Sequence, residues 1–405
     1  MWNWQLIKKL AYEVSTPLFV YSETILLQNL ERISRAVHVS GVKNPIQIYV
    51  SYFSNSNPTL FRIISDQNAG ILLQTREEFA QLKSAGVKGD LLVSPSFQTV
   101  EDLKFWHQKG VPVNLPSLHD VERIVKHFPK KSVSIRLDLT LKQDQRLGIK
   151  YSQISAVKKI LKTAKVPLKS FHIYCGTGSS VSKIESYARR ALDIYQKEFP
   201  EIKEINFGGG YAFDYQLDDP EKKHFPWGTY FQFLAKECKR RNIPTHIKFI
   251  FEPGRDVMAD TGIFVCSIHD VIHTGKSIHA ATDGSMIYLP SATKRKRMHQ
   301  VLFFDKNFQK RSGSMRPCML SGATTLSSDY LLSGPVKAPR SIQSGDFLVM
   351  MDVGAYAATQ HLEFLNKRPC PEVLIRTDGN AYLITSRGNE IDKIRNVLKK
   401  PKKLA

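Results

Sequence analysis

The sequence contains 405 residues, of which 42% are hydrophobic and 10% aromatic, and its formal net charge is +21 at pH 7. This composition excludes a largely disordered chain, and the length is too great for one ordinary core, so we expect two domains. A basic surface attracts nucleic acid, anionic lipid or acidic metabolites. Because no helix-turn-helix, zinc finger or aromatic RNA-binding motif accompanies the charge, neither nucleic acid nor a membrane is an expected partner.

The first predicted elements are a strand at Pro17–Tyr21 and a helix at Glu23–Val37. From about residue 45 to residue 252, apolar runs alternate with amphipathic segments. The strands predicted for this region are Ile48–Phe53, Ile71–Thr75, Leu91–Pro95, Val111–Leu115, Ser132–Asp138, Lys169–Cys175, Glu204–Gly208 and His246–Glu252. The helices predicted between them include Pro58–Gln67, Glu77–Ser84, Val100–Gln108, Asp120–His127 and Ile184–Glu198. Strands that alternate with helices form a parallel sheet, and this number of units predicts an α/β fold of the (β/α)₈ TIM-barrel type.

After Arg255 the pattern changes to short apolar runs separated by turn residues. The strands predicted here are Gly262–Val271, Ser314–Met319, Phe347–Val353, Glu372–Arg376 and Ala381–Thr385. They predict a C-terminal all-β domain, which the N-terminal strand joins. We therefore place the barrel at residues 22–265, the β domain at residues 1–21 and 266–390, and a flexible basic tail at residues 391–405.

The search for targeting signals and the pattern of cysteines indicate the cellular compartment that we expect. No apolar run approaches the length of a membrane span, and the first residues show no signal-peptide pattern. The cysteines are scattered, odd in number and without metal-type spacing; they are Cys175, Cys238, Cys266, Cys318 and Cys370. We expect reduced thiols in a cytoplasmic protein that has no metal site.

Polar residues and glycines collect at the ends of the predicted barrel strands. The residues concerned are Thr75, Ser94, Arg136, His172, Gly208, Gly209, Gly210, Glu252 and Arg255. In a TIM barrel the C-terminal ends of the strands surround the active site, and we call this end the barrel mouth. The distribution predicts a functional site there.

Three motifs at the mouth have both a functional and a structural interpretation. Gly208–Gly210 lets backbone N–H groups approach a phosphate, although a tight turn also uses such a triplet. Glu252 can hold a protonated ring nitrogen and Arg255 can grip a phosphate, although the pair also suits a surface turn with a salt bridge. His172 can stack on a planar cofactor or serve as a structural histidine.

Taken in this order, the motifs resemble those of the fold-type III pyridoxal-phosphate (PLP) decarboxylases, the diaminopimelate and ornithine decarboxylases. Further segments that resemble the family are Thr16–Tyr21, Ser56–Pro58, Arg146–Gly148, Gly345–Phe347 and Asp352–Tyr356. The resemblance spans nearly the whole chain. It implies an alanine-racemase-like TIM barrel followed by a β domain.

The resemblance also implies roles for individual residues. Glu252 would face the pyridine nitrogen of PLP, and His172 would stack on its ring. The phosphate would be held by Gly209, Gly210, Arg255 and Tyr356. Members of the family form head-to-tail dimers, and the resemblance places Tyr356 and the segment Thr325–Asp329 at that interface.

One departure from the family concerns its cofactor-linking lysine. Counting back from Pro58 places Phe53 at the lysine position, and no lysine occurs between Lys43 and Lys83. Phenylalanine cannot form the resting Schiff base that the family's lysine forms. PLP would then bind without a covalent link. Phe53 also fits a core position at the barrel mouth, and the two interpretations are compatible.

Other departures remove further reactive groups of the family. Thr325 stands at the position of the family's catalytic cysteine, and Leu326 at that of its substrate-contacting glutamate. A threonine hydroxyl is a far poorer acid than a thiol. The remaining changes are Tyr174-Cys175 in place of the phosphate-holding Gly-Ser and Leu72 in place of an aspartate, whereas Glu78 is retained.

Three functions remain open at this level. The first is a PLP-dependent decarboxylase-like enzyme with weak or atypical chemistry on an amine or amino acid, in polyamine, lysine or siderophore-precursor metabolism. The second is a non-catalytic pseudoenzyme that binds a metabolite or regulates an active paralogue. The third is a nucleic-acid or membrane-surface binder, which we rank last because only the net charge of +21 supports it.

Overall fold

The structure is a computed structural model, and it describes residues 2–128, 131–140, 147–217, 219–294, 299–389 and 391–392. The chain divides into two compact units. One consists of Met1–Glu23 with Asp260–Ala405, and the other of Thr24–Ala259. We call the first the β unit and the second the barrel unit.

Each unit has its own sheet. The strands of both sheets are named in chain order. They are β1 Leu18–Ser22, β2 Ile46–Ser51, β3 Gly70–Leu73, β4 Leu91–Val93, β5 Asn114–Leu115, β6 Val133–Asp138, β7 Ile149–Lys150, β8 Leu168–Ile173, β9 Glu204–Asn206, β10 Lys248–Phe251, β11 Gly262–Thr274, β12 Ser277–Thr282, β13 Val301–Phe304, β14 Met315–Ser321, β15 Val336–Pro339, β16 Phe347–Met350, β17 Glu372–Ile375 and β18 Ala381–Thr385.

The helices are named in the same way. They are α1 Trp4–Glu13, α2 Glu23–Ser40, α3 Pro58–Asp66, α4 Arg76–Ser84, α5 Val100–Lys109, α6 Leu118–His127, α7 Ile154–Ala164, α8 Val181–Glu198, α9 Pro220–Lys223, α10 Trp227–Arg241, α11 Arg255–Met258 and α12 Pro290–Lys294. Short 3₁₀ turns lie at Tyr52–Ser54, Tyr151–Gln153, Ala259–Thr261 and Ala358–Gln360. Among the described residues, no helix combines the length and apolar character needed to cross a bilayer.

The barrel unit contains the predicted parallel barrel. Its strands follow the order β4-β3-β2-β10-β9-β8-β6-β5, and β7 pairs with β6. A parallel bridge between Val93 and Val113 joins the two ends of this path, so the sheet nearly closes on itself. All eight predicted strands of this region are present, which confirms the predicted fold class.

Local sequence signals explain where several barrel helices begin. Thr75 and Glu78 form a capping box at the start of α4, in which each side chain accepts a hydrogen bond from the other residue's backbone N–H. Thr99 and Asp102 do the same for α5. These exchanges satisfy N–H groups that would otherwise lack partners at a helix start. The caps fix the path of the chain as it leaves β3 and β4.

The β unit holds a mixed, mostly antiparallel sheet. Its strand order is β15-β14-β12-β11-β1-β17-β18, and β16 pairs with both β11 and β13. The N-terminal strand β1 lies antiparallel to β11 and parallel to β17. Helix α1, which the sequence analysis misses, buries Ile7, Leu10 and Ala11 in the core of this unit.

Several element boundaries differ from the sequence prediction. The strand predicted to reach Phe53 ends at Ser51, because the chain turns through the 3₁₀ segment that follows. The strand predicted to reach Gly208 ends at Asn206, because Gly208 has a left-handed φ of 67° that no strand residue adopts. The elements that the prediction does not name are α1, α7, α9, α10, α11, α12, β7, β12, β13 and β15.

Candidate functional site

The site begins with three neighbouring strands at the mouth of the barrel. His172 lies near the end of β8, Asn206 ends β9, and Glu252 directly follows β10. In the parallel register Asn206 is opposite His172 on one side and Ile250 on the other. Because side chains alternate along a strand, this register directs His172, Asn206 and Glu252 to the same face. Sequence reasoning selects two of these residues and misses Asn206.

The Glu252 carboxylate is the centre of this cluster. Its Oε2 lies 3.1 Å from Nε2 of His172, and its Oε1 accepts a 2.7 Å hydrogen bond from Nδ2 of Asn206. The Oδ1 of Asn206 in turn accepts a 2.8 Å hydrogen bond from the N–H of Gly208. All three side chains are buried. The cluster is therefore a fixed network and not a flexible surface group.

Electrostatics keep Glu252 ionised despite its burial. Burial raises the pKa of Glu252, but the facing His172, the hydrogen bonds from His172 and Asn206, and the charge of Arg136 outweigh it and lower the pKa below its ordinary value. A carboxylate has about four lone-pair positions, and two are used here. Glu252 can therefore accept one more N–H donor.

His172 leaves one polar atom without a partner. Its Nδ1 is buried and has no hydrogen-bond partner among the described residues. A buried polar atom left unpaired costs about 1–3 kcal/mol. Such an atom beside a charged carboxylate is typical of a binding site that a ligand or water completes.

The glycine triplet lies against both strand ends. A Cβ atom on Gly208 would lie 1.9 Å from the Ile173 carbonyl oxygen, and one on Gly209 would lie 2.6 Å from that of Glu252. Gly210 has a φ of 107°, and its Cβ would lie 2.2 Å from the carbonyl oxygen of Gly176. No larger residue fits these positions. Within the described residues, neither the Gly209 nor the Gly210 N–H has a backbone acceptor, which leaves both available to an anion.

Arg255 begins α11, three residues after Glu252. Its side chain is buried, and Nη1 donates a 2.5 Å hydrogen bond to the hydroxyl of Tyr215. The next residue, Asp256, is fully buried and accepts hydrogen bonds from Arg32, from the Trp227 indole and from the N–H of Phe225. This second network anchors the short helix that carries Arg255.

Phe53 follows β2, the strand that pairs with β10. Its half-buried ring packs against the core cluster of Leu72, Leu92 and Ile250, together with Tyr49. The N–H of Ser51 donates a 3.2 Å hydrogen bond to the carbonyl of Pro253, which joins the end of β2 to the residue after Glu252. Phe53 therefore follows a strand end that is bonded to the Glu252 segment.

Arg136 adds a cation on the opposite side of the barrel from Phe53. Its guanidinium lies 5.4 Å from the centre of the Tyr174 ring. Burial lowers the pKa of Arg136, and the charge of Glu252 acts in the opposite direction. The Tyr174 hydroxyl lies 2.7 Å from that of Thr177. A stacked guanidinium held in this way keeps its charge and offers its edge to an anion.

Other residues that the sequence analysis noted have structural contacts. Thr75 and Glu78 cap α4, and burial raises the pKa of Glu78. Ser94 accepts a 2.7 Å hydrogen bond from Asn114. Cys175 is buried, which raises the pKa of its thiol, and its Sγ lies 3.5 Å from the Gly209 carbonyl oxygen.

The remaining predicted site residues lie in the β unit. Thr325 and Leu326 are exposed, and Leu326 has 39% of its surface accessible. Asp329 is buried and bonds to Ser285, Met286 and Thr324, so it fixes the conformation of this loop. Tyr356 is half-buried, with a left-handed φ of 59°. Arg146, the basic cluster at 295–297 and most of the basic tail lie outside the described residues.

Two comparisons of sequence place the chain among known proteins. The family model described as "Pyridoxal-dependent decarboxylase, pyridoxal binding domain" matches residues 28–259. The chain belongs to this family. It is also 21% identical over 397 residues to the diaminopimelate decarboxylase of Streptomyces coelicolor, a match that covers 90% of this chain and 86% of that protein. The diaminopimelate decarboxylase of Methanothermobacter thermautotrophicus is 22% identical, covering 96% and 92%.

Solved structures share the fold of this family member. Diaminopimelate decarboxylase from M. jannaschii, in co-complex with L-lysine, has a TM-score of 0.84 at 19% identity, covering 98% of this chain and 95% of that one. Lysine/ornithine decarboxylase from Vibrio vulnificus, complexed with cadaverine, has a TM-score of 0.77 at 17% identity, covering 92% and 98%. Both confirm the predicted barrel with an added β domain.

The family depends on PLP, and the residues at the barrel mouth fit this cofactor. An ionised Glu252 can accept a pyridinium N–H, and the orphaned Nδ1 of His172 marks an incomplete site. Gly209 and Gly210 have N–H groups that suit a phosphate, and neither has a backbone acceptor among the described residues. An aromatic ring lies at position 53, which the resemblance aligns with the cofactor-linking lysine.

Proposed function

We propose that the protein binds PLP without a covalent link and acts on an amino acid or amine with weak, decarboxylase-like chemistry. The observation that carries the proposal is the intact network of Glu252, His172 and Asn206, combined with an apolar ring at position 53. The first feature retains a cofactor site. The second removes the amine that would link the cofactor to the chain.

The chain's own residues have separate roles in this proposal. Glu252 would hold a pyridinium proton, and the plane of His172 would support one face of the ring. The N–H groups of Gly209 and Gly210, with Arg255, would bind the phosphate. PLP, when bound, supplies the electron-withdrawing ring that stabilises charge at the carbon losing its carboxylate. Arg136 would neutralise an anionic group of the substrate.

The expected chemistry is slow because two reactive groups are replaced. Without a lysine at position 53, the chain would offer no amine there to hold the cofactor or to assist release of the product. Thr325 offers only a weakly acidic hydroxyl where the family resemblance implies a thiol. Relatives crystallised with L-lysine and with cadaverine suggest amino acids and diamines as the first substrates to test.

The test is a Phe53→Lys variant compared with Phe53→Met. The native protein should take up PLP with a change in its visible spectrum and release it on dialysis. Phe53→Lys should retain the cofactor, and borohydride reduction followed by peptide mass analysis should locate it on residue 53. Phe53→Met has a similar length without the amine and should behave like the native protein. The assay does not depend on turnover.

Two results would contradict the proposal in different ways. A native protein that shows no uptake of PLP would remove the cofactor site itself. A folded Phe53→Lys protein that binds PLP but gains no covalent label would show that residue 53 lies out of reach of the cofactor.

The second candidate function is a pseudoenzyme that binds a metabolite or regulates an active paralogue. The exposed Leu326 favours it, because a hydrophobic side chain replaces a substrate-contacting carboxylate on a loop that Asp329 holds rigidly. Absence of turnover with lysine, ornithine and diaminopimelate, together with recovery of a paralogue in a pull-down, would support this function over the first.

The sequence leads to three further expectations about assembly, location and nucleic-acid binding. A homodimer should appear as a doubled mass in light scattering. Cell fractionation should place the protein in the cytoplasm, in keeping with five buried cysteines that form no disulfide. Binding to nucleic acid, if the charge of +21 produced any, should fall steeply as salt is raised.

A further inference from the structure

The interior of the barrel has two chemically different halves. On the side of β2, β3, β4 and β10 one cluster of large, mostly apolar side chains faces the interior, namely Tyr49, Phe53, Leu72, Leu92 and Ile250. On β5, β6, β8 and β9 the corresponding side chains are short and polar, namely Asn114, Ser134, Ser170 and Asn206. TIM barrels usually fill this space with large branched residues. Small polar residues on four strands leave the barrel incompletely filled.

The space they leave is a cavity of about 770 Å³. Its wall includes all four of these polar residues, and each of them is buried. The wall also includes Gly89, Asp90 and Lys109, which are exposed. The cavity therefore extends from solvent into the barrel. It reaches solvent beside the starts of β4 and β5, which is the end opposite the mouth.

The inner surface of the cavity is suited to water. The Ser170 hydroxyl donates a 2.7 Å hydrogen bond to that of Ser134, and Asn114 donates one of the same length to Ser94. Each hydroxyl and amide retains further hydrogen-bonding capacity, and a polar cavity of this size holds ordered water. Water in the cavity would use the donors and acceptors that these bonds leave over.

The inner end of the cavity lies directly below the functional site. Asn206 lines the cavity, and its amide donates to Glu252. Tyr49 lines it as well. Burial, and then the charges of Asp90, Glu204 and Glu252, raise the pKa of Tyr49 to about 12.

We propose that this cavity is a water-filled chamber which admits water and small neutral hydrogen-bonding solutes from the N-terminal face of the barrel to Asn206, below Glu252. The chamber gives the buried carboxylate a second route to solvent, separate from the mouth. It would supply water to Asn206 whether or not the mouth is closed by a ligand. This role goes beyond the proposed function and does not depend on PLP binding.

The test uses a Ser170→Cys variant and the small neutral reagent methyl methanethiosulfonate. Cysteine is close to serine in size, so the variant should fold, and Ser134→Cys provides a second reporter on the neighbouring strand. The five native cysteines are all buried and serve as internal controls in the same peptide map. Because position 170 lines the cavity and the native cysteines do not, Cys at position 170 should be modified at least about tenfold faster than they are.

The direction of entry is tested at the rim. Asp90→Trp places a large ring on an exposed lining residue and should slow modification at position 170, whereas Asp66→Trp, an exposed change away from the lining, should not. Modification no faster than that of the native cysteines at both reporters would overturn the proposal. So would equal rates with and without Asp90→Trp, because the reagent would then enter elsewhere.

Discussion

The buried Glu252 carboxylate allows a prediction that does not require any cofactor. We expect Glu252→Gln to destabilise the protein by about 2 kcal/mol at pH 7. The glutamine keeps an acceptor for Asn206, but its amide group must face His172, where two donors would meet. His172 can avoid this only by changing tautomer, which places its proton on the orphaned Nδ1. The loss is therefore that of one charge-assisted hydrogen bond.

The pH dependence follows from the direction of the pKa shift. The pKa of Glu252 is lower in the folded protein than its ordinary value of 4.5, so its contribution is complete above that value. The contribution disappears as the pH falls through the lowered folded pKa. Urea unfolding of the two proteins between pH 7 and pH 3 should show a difference that shrinks toward acid. Equal stability at pH 7, or a difference that grows below pH 4.5, would refute the reasoning.

A matched change on the surface supplies the control. Glu198 also has a lowered pKa, from hydrogen bonds with Lys158 and Tyr151, but its partner lysine is 41% exposed. Solvent screens such pairs, so Glu198→Gln should cost less than about 1 kcal/mol. Comparing the two stability losses separates the effect of burying the carboxylate from the effect of pairing a glutamate with a cation.

The other predictions concern the structural supports of the site. Asp256→Asn should lower stability by about 1–3 kcal/mol in thermal unfolding, because it weakens the hydrogen bonds of a fully buried carboxylate and removes the counter-charge of the half-buried Arg32; unchanged stability would contradict this. Gly210→Ala should cost more than about 2 kcal/mol, since its Cβ would lie 2.2 Å from a carbonyl oxygen in a left-handed conformation. Gly228→Ala in helix α10 is the control, because no atom lies within 4 Å of a Cβ placed there, and it should be neutral or slightly stabilising. Similar losses of stability for the two changes would count against the close approach at Gly210.

The barrel was predictable because each strand and helix carries its own periodic signal. The eight strand positions follow from apolar runs between amphipathic segments, and capping residues such as Thr75 and Thr99 mark helix starts. The strand ends were harder to predict, because the change from strand to turn depends on backbone angles such as that of Gly208. Helix α1 could have been predicted from the cap residue Asn3, which precedes apolar residues at helical spacing.

The part of the site that escaped prediction is the part made by several strands together. Asn206 appears in the sequence as one polar residue in an apolar run, and nothing local indicates that its amide reaches Glu252. The chamber has the same origin, since Ser134 and Ser170 are ordinary serines until the register of β6 and β8 brings their hydroxyls within 2.7 Å. Contacts between residues 36 positions apart are set by topology.

The surroundings of Phe53 predict how a lysine introduced at this position would behave. The ring continues the apolar half of the barrel up to the strand end, where it packs on Leu72, Leu92 and Ile250. An ammonium group placed there would be partly desolvated, which lowers the pKa of a lysine toward neutrality. A lysine must lose its proton before it can act as a nucleophile. The apolar cluster that now accommodates phenylalanine would therefore activate a lysine at the same position.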